Sequence, residues 1–479
     1  MTSDAPQDLS ALRAATARLA DVAPVAVRLG EVFADAGHEL SLVGGSVRDT
    51  VLGRLGEDLD FTTSARPDEV EHLVTPLAAT VWDIGRQFGT IGARIDGYTC
   101  EITTYRADVY DPTSRKPHVQ FGDSLDGDLR RRDFTVNAMA LRLPGRTFVD
   151  PYGGLQDLQA RVLRTPGPPE ESFDDDPLRM LRAARFAAQL EFDVVADVVT
   201  AMTQMRDRLA IISPERIRDE LVKLVLSQHP RRGLALLVDT GLAEHVLPEL
   251  PALRLELDEH HRHKDVYEHT LTVLEQAMDL EPDGPDLVLR LAALLHDIGK
   301  PRTRRFEPGG RVSFHHHEVV GARMSAKRLK ALRFDSATVD DVARLVELHL
   351  RFHGYGDGAW TDSAVRRYVR DAGDLLPRLH RLTRADCTTR NRRKAQALAQ
   401  TYDALEARID VLAEEEELSA IRPDLDGNEI MDLLQVPPGR VVGDAYRHLL
   451  ELRLDRGPLS KDEATRELLA WWQTRQSED

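Results

Sequence analysis

Short β-forming runs occupy only one part of this chain. Between about residues 38 and 165, "LSLVGG", "TVWDIG", "TIGARIDGYTCEITTYR" and "FVDPYGG" interleave with helical segments, an α+β pattern. Beyond "RTPGPPEESFDDDP" (164–177), whose proline, glycine and acidic residues read as a linker, almost no alternating apolar pattern recurs and the remainder reads as helical. A chain divided in this way is neither one sheet nor one bundle. At 479 residues it also exceeds what a single core organises, so several domains are expected. Residues 1 to about 30 read as an amphipathic helix, further breaks fall near 247–263 and 390, and "RPDLDGNE" (422–429) reads as a turn. No fixed-period repeat is present.

Composition narrows the function classes. Hydrophobic residues make up 42% and charged residues 30%, which suits a soluble globular protein. No stretch approaches the roughly 20 apolar residues of a membrane span, and the N-terminus lacks the basic-then-apolar layout of a secretory signal. Only Cys100 and Cys387 are present, so neither a disulfide framework nor a four-cysteine zinc site is available. A cytoplasmic location is expected. The net charge of −17 argues against a general nucleic-acid coat, so any phosphate contact must be concentrated. "DLRRRDF" (128–134) and "PLRMLRAARF" (177–186) are the concentrations, whereas "AEEEEL" (413–418) reads as a solvated helix face.

Within "LSLVGGSVRDTVLGRLGEDLDF" (40–61), Gly44 and Gly45 let the backbone turn sharply and leave amides uncovered at a helix start, where a phosphate is favoured. Arg48 adds charge to the same anion. Asp58 and Asp60 alternate along a strand, about 6.5 to 7 Å apart on one face, where they can jointly hold magnesium ions beside that phosphate. Glu101, in a second β-forming run, supplies a third carboxylate that could orient a metal or accept a proton. Arg131 and Arg132 offer paired donors to phosphate oxygens. Arg179, Arg182 and Arg185 recur at steps of three on a helix beginning after Asp176 and Pro177, so Asp176, Arg179 and Arg182 can address one small ligand.

The ordered motifs "GGSVRD", "EDLDF", "RRDFTVNAMA", "DPYGGLQDL", "DDPLRMLRAARF" and "SPERIRDEL" resemble those of the class II tRNA nucleotidyltransferases, the bacterial CCA-adding enzymes and their poly(A) polymerase relatives. The resemblance covers about residues 38–225. It implies a polymerase-β-like α+β nucleotidyltransferase head with a mixed sheet, followed by an all-α neck, body, HD domain and tail. The expected divisions are an N-terminal helix (1–30), head (31–165), neck (166–258), HD domain (259–390) and tail (391–479). It implies that Asp58 and Asp60 hold Mg²⁺, that Gly45 and Arg48 contact the nucleotide, and that Arg131 or Arg132 lies on its triphosphate or ribose. Asp176 and Arg179 would meet the Watson–Crick edge of CTP or ATP, supported by Arg182 and Arg185. An aspartate accepts from the amino group that A and C share, and an arginine donates to a ring nitrogen or carbonyl. One departure is Asp175, where the family usually has Glu. The stretch 106–129 resembles the flexible segment that CCA-adding members use when switching from C to A.

"HRHKDVYEHTLTVL", "LAALLHDIGKPR", "FHHHEVVGAR", "VELHLR" and "RADCT" resemble an HD domain, a metal-dependent phosphohydrolase fold. His269, His296, Asp297 and Asp386 match its core ligands, and His317 and His349 the added ligands of two-metal versions. Mixed imidazole and carboxylate donors suit Mn²⁺, Ni²⁺, Co²⁺ or Fe²⁺. His296 and Asp297 are adjacent, so both face one cavity only at a helix end or with differing reach. The expected function is addition of C, C and A to the 3′ end of tRNA from CTP and ATP, with no membrane partner. The alternatives are a poly(A) polymerase or A-adding enzyme, or an HD phosphohydrolase whose head binds RNA.

Overall fold

The computed structural model describes residues 24–54, 56–106, 122, 124–255, 265–308, 311–352, 360–389, 391–416 and 421–476. It divides into two compact units, with the boundary between Pro248 and Glu249. Among the described residues, no helix is long and apolar enough to cross a membrane.

The first unit is built on one seven-stranded sheet. Its strands are β1 (Leu40–Val43), β2 (Asp58–Thr63), β3 (Thr80–Gly85), β4 (Thr90–Ile95), β5 (Tyr98–Thr104), β6 (Ala140–Leu143) and β7 (Thr147–Val149), in the order β3-β4-β5-β2-β1-β6-β7. All neighbours pair antiparallel except β2 and β5, which run parallel and place Asp60 opposite Glu101. β1 is buried along its whole length, as a strand covered on both faces must be. The helix Pro24–Asp35 buries Val25, Ala26, Leu29 and Phe33, a stripe at helical spacing that packs on β1 and β6. That helix is the described part of the expected N-terminal one, and it runs to Asp35; residues 1–23 lie outside the described residues, as do 107–121 and 123 of the segment read as flexible.

The segment read as a linker is a structural element. Pro169–Asp175 is helical, with Pro169 in the first turn, where a missing N–H costs nothing, and Phe173 is fully buried. Composition hid this because prolines that start a helix look like prolines that break one. Helices Leu178–Leu190, Ala196–Met205, Pro214–Val225 and Pro230–Asp239 follow, and the short strands β8 (Val162–Leu163) and β9 (Asp193–Val194) pair in parallel between them.

The second unit is mostly helical, though not entirely. A hairpin of β10 (Arg305–Glu307) and β11 (Arg311–Ser313) interrupts its helices. The main helices are Val266–Met278, Leu287–Leu295, His317–Ala331, Ser336–Leu348, Asp362–Ala372, Leu376–Ala385 and Arg392–Glu416, followed by Gly427–Leu434, Arg440–Arg456 and Lys461–Gln476. The last three bury Ile430, Leu434, Ala445, Leu449, Ala464 and Leu468 against one another. The expected turn at 422–429 ends early, because Asp426 and Glu429 form a reciprocal cap that starts a helix at Gly427. The acidic run 413–418, of which 417 and 418 lie outside the described residues, is not simply a solvated face at Glu416. The Glu416 carboxylate receives Arg366 Nε at 2.8 Å and Nη2 at 2.7 Å in a pair whose side chains are 9% and 6% exposed.

Candidate active site and metal centre

The backbone at Gly44 has φ +67° and ψ −135°, a conformation that L side chains rarely adopt, and it opens the helix Gly45–Val51. A Cβ at Gly44 would lie 2.9 Å from Arg132 Nη1 and 3.7 Å from Asp60 Oδ2. Ser46 ties this turn to β2: its Oγ accepts from the Asp60 N–H at 2.9 Å and donates to the Asp58 carbonyl at 3.3 Å. The glycine turn and the carboxylate strand are therefore one rigid piece.

Asp58, Asp60 and Glu101 are brought together by β2 and β5. Burial raises the Asp60 pKa, and Asp58 raises it further against the pull of Arg132, Arg48 and Arg182. Glu101 is likewise raised, by burial and then by Asp60 and Asp58. Carboxylates that oppose one another's ionisation are a donor type that suits a hard divalent cation, but the three do not bring their oxygens within 4.8 Å of one another as the ligand groups of the second unit do.

A cavity of about 530 Å³ adjoins them. It is lined by Gly44, Gly45, Arg48, Asp60, Arg131, Arg132, Asp176, Arg179, Arg182 and Arg185, all singled out from the sequence, together with Asp128, Asp133, Asn137, Phe186, Arg216 and Lys223. Asp58 and Glu101 are exposed and are not among its lining residues.

The arginines are held by a continuous chain of partners. Arg48 forks onto Asp49 through Nε and Nη2, both at 2.9 Å, and donates from Nη1 to Asn137 Oδ1 at 2.7 Å. Asn137 Nδ2 donates to Asp133 Oδ1 at 2.9 Å, and Asp133 Oδ2 accepts from Arg182 Nε at 2.8 Å and Nη2 at 2.5 Å. Arg185 donates to Glu220 Oε2 at 2.6 Å and to Gln189 at 2.9 Å. Burial alone would raise Asp133; Arg182 and Asn137 hold it well below the usual carboxylate range. Phe186 receives three guanidinium groups, Arg185 at 3.9 Å, Arg48 at 5.3 Å and Arg182 at 5.4 Å from its centroid.

Arg131 and Arg132 both face Asp128, at 3.8 and 3.1 Å. Arg179 donates to Ser172 Oγ at 2.8 Å and to the Arg131 carbonyl at 2.5 Å. Asp176 caps the Leu178 amide through Oδ1 at 3.1 Å and accepts Arg216 through Oδ2 at 2.8 Å. Ser46, Asp128, Asp133, Asn137, Phe186, Arg216 and Glu220 were not singled out from the sequence. Asp133, Asn137, Arg216 and Glu220 lie inside the quoted "RRDFTVNAMA" and "SPERIRDEL", so the motifs held them without showing their partners.

In the second unit, His269, His296 and Asp386 form one group able to hold a metal ion, and Asp297, His317 and His349 another. His296, His349 and Asp386 each cap the C-terminus of a helix, and His317 opens one. Three helix C-termini thus point their partial negative charge into one place, which favours a cation. The Nδ1 atoms of His296, His317 and His349 are turned to the carbonyls of Ala293, Phe314 and Val346 at 2.8, 2.8 and 2.6 Å. Their Nε2 atoms are buried: those of His296 and His317 face the Asp297 carboxylate at 3.3 and 3.2 Å, and that of His349 has no hydrogen-bond partner, the arrangement of imidazoles oriented as ligands. His269 Nε2 lies 3.0 Å from Asp386 and 3.6 Å from Asp297. Burial, with His296 alongside, pushes His349 down to about 3, so its ring is neutral and able to coordinate. Lys300 Nζ is 2.6 Å from Asp297 Oδ2.

Residues 40–164 match the model of the poly A polymerase head domain, 191–253 that of a probable RNA and SrmB-binding site of polymerase A, and 266–391 that of the HD domain. An A-adding tRNA nucleotidyltransferase of Deinococcus radiodurans is 37% identical over 421 residues, covering 86% of this chain and 91% of that protein. The chain belongs to the tRNA nucleotidyltransferase family. A CCA-adding enzyme of Lactobacillus helveticus is 42% identical over 230 residues, about half of each protein at 48% and 56%. In fold, the chain resembles the Bacillus stearothermophilus CCA-adding enzyme in complex with CTP, at a TM-score of 0.67 and 24% identity over 95% of this chain and 98% of that one. Membership in this family implies dependence on a divalent metal.

Proposed function

We propose that this protein adds C, C and A to the 3′ end of tRNA from CTP and ATP in the cytoplasm, releasing pyrophosphate. The observation that carries the reading is the single cavity in which the Gly44 turn, Asp60, the arginines and Asp176 meet. Asp58, Asp60 and Glu101 would hold Mg²⁺, which when bound lowers the cost of ionising the attacking hydroxyl and of the charge on the leaving pyrophosphate. The amides after Gly44, with Arg131 and Arg132, would orient the triphosphate. Asp176 and Arg179 would read the base edge, with Arg182 and Arg185 fixed by Asp133 and Glu220 so that the template does not yield to a wrong base. Asp175 would leave the template pair in place. We further divide the first unit into head and neck near 165 and the second into HD domain and tail near 390.

The relative at 37% identity is named as A-adding, which favours a second reading. Purified protein would be offered tRNA ending before its CCA sequence with CTP alone, then ATP alone, then both, and tRNA ending in CC with ATP. Incorporation of C supports the first reading. Extension only of tRNA ending in CC would replace it with the A-adding one.

For the HD cluster we propose a transition-metal centre that hydrolyses phosphate esters, supported by three buried imidazole Nε2 atoms that converge with the carboxylates of Asp297 and Asp386. A head that merely binds RNA fits less well, because Asp58, Asp60 and Glu101 would then meet without a cation to join them.

A further inference from the structure

Between two of the HD ligands, Asp297 and His317, the chain is locally basic in an acidic protein. Residues 300–311 hold Lys300, Arg302, Arg304, Arg305 and Arg311 against the single acid Glu307, in a chain of net charge −17. Glu307 is engaged across the hairpin, accepting from Ser313 Oγ at 2.8 Å. Arg302 and Arg305 are exposed, and among the described residues neither is in an ion pair.

On the same hairpin, Phe306 is 72% exposed, while among the described residues no other exposed large hydrophobic residue exceeds 42%. The Arg304 guanidinium lies 4.8 Å from its ring centroid. The segment is tied to the metal-type cluster at both ends, through Lys300 on Asp297 at 2.6 Å and through the Phe314 carbonyl on His317 Nδ1 at 2.8 Å.

An exposed aromatic ring beside exposed arginines is the surface chemistry of single-stranded nucleic acid binding, where a base stacks on the ring and phosphates meet the cations. We propose that the β10–β11 hairpin is a docking ledge for a single-stranded RNA end. Phe306 stacks a base, Arg302 and Arg305 neutralise flanking phosphates, and the terminal phosphate ester is directed toward the HD cluster. The fate of that ester rests on the hydrolytic reading of the cluster; the docking itself does not.

The test uses the full-length protein and a short RNA carrying a 3′-phosphate and one internal 4-thiouridine. The photocrosslink should map to the peptide holding Phe306, disappear in Phe306→Ala and return in Phe306→Tyr. Binding at the ledge should weaken roughly five- to 150-fold in Phe306→Ala without a change in salt dependence. In Arg302→Ala with Arg305→Ala, the slope of log K against log salt should fall by about 1.4, or about 0.7 for each phosphate that is no longer neutralised. Nucleotide addition by Phe306→Ala should stay at the wild-type rate, which shows that the chain is folded. Crosslinks confined to the first unit, or unchanged binding in both variants, would overturn the ledge, including in favour of a protein partner there. A crosslink at Phe306 with no phosphate released on any transition metal supports the ledge and removes the hydrolytic reading.

Discussion

Asp133 is buried, and it stays charged because Arg182 and Asn137 meet both of its oxygens. Removing one side of a buried pair costs about 3–5 kcal/mol, and Arg182 keeps a third of its side chain in solvent, so Asp133→Asn should cost about 3 kcal/mol, the lower end of that range. Its folded pKa is depressed, so its contribution is fully present above the unfolded value of about 3.9 and is lost as pH falls through the folded value. Denaturant titration at neutral and acid pH should therefore show the variant less stable at pH 7 and missing that part of the acid-induced loss. Asp176→Ala and Arg179→Ala should each cost about 1–3 kcal/mol in discrimination of C and A from U and G, by leaving a partner unpaired, while metal binding persists. Misincorporation of UTP and GTP measures it, and a variant with full selectivity would remove these residues from the template. At this scale the placing of Asp58 and Asp60 on one strand was legible, because alternation along a strand is a local property, whereas the pairing of Asp60 with Glu101 joins two strands far apart in the chain. The partners of the arginines were not legible: Arg182 and Asp133 are 49 positions apart, and Asp176 and Arg216 are 40 apart. No short-range pattern encodes such pairings.

The helix Leu287–Leu295 ends where the metal-type cluster begins, and this explains how two adjacent residues serve one cavity. His296 still caps the helix, while Asp297 has already left it. Gly299 then passes close to the helix His317–Ala331. A Cβ there would lie 2.1 Å from the His317 carbonyl oxygen, and that neighbour is backbone, which cannot rotate away. Gly299→Ala should push the two segments apart, cost about 1–3 kcal/mol as overpacking, and carry His317 away from Asp297. Metal stoichiometry measured on the folded variant should fall while nucleotide addition is retained; undiminished metal content would show that the close approach does not position the ligand. The adjacency of His296 and Asp297 left a helix end or differing side-chain reach as the alternatives, and the structure shows the helix end. The helix at Pro169–Asp175 went unseen, because its evidence is the burial of Phe173 by distant residues.

For the whole molecule, two centres of different donor type should respond to different metals. Oxygen donors beside a triphosphate favour Mg²⁺, and imidazoles mixed with carboxylates favour Mn²⁺, Ni²⁺, Co²⁺ or Fe²⁺. Nucleotide addition should run on Mg²⁺ alone. A transition metal at 100 times its dissociation constant should stabilise the second unit by about 2.7 kcal/mol, visible as a shift of one component in thermal unfolding. His296→Ala with Asp297→Ala should abolish that shift and spare addition, and a shift that survives the double change would place the ion elsewhere. The division into an α+β part and a helical part was legible because periodicity changes along the chain. The hairpin at 305–313 was not, since two three-residue strands are too short to show alternation.

The parallel pairing of β2 with β5 carries a consequence for how the protein comes into being. Antiparallel neighbours can zip from a tight turn, but these two strands meet only after the chain has passed through the helix Pro67–Val74 and the whole β3–β4 hairpin. On a ribosome, the emerging peptide therefore carries Asp58 and Asp60 for some time before Glu101 exists to join them. Under the roles proposed above, the metal-holding carboxylates would be complete only once β5 pairs with β2, and Arg131, Arg132, Asp176 and Arg179 follow later still, so a chain truncated before β5 would lack both Glu101 and the nucleotide-reading residues.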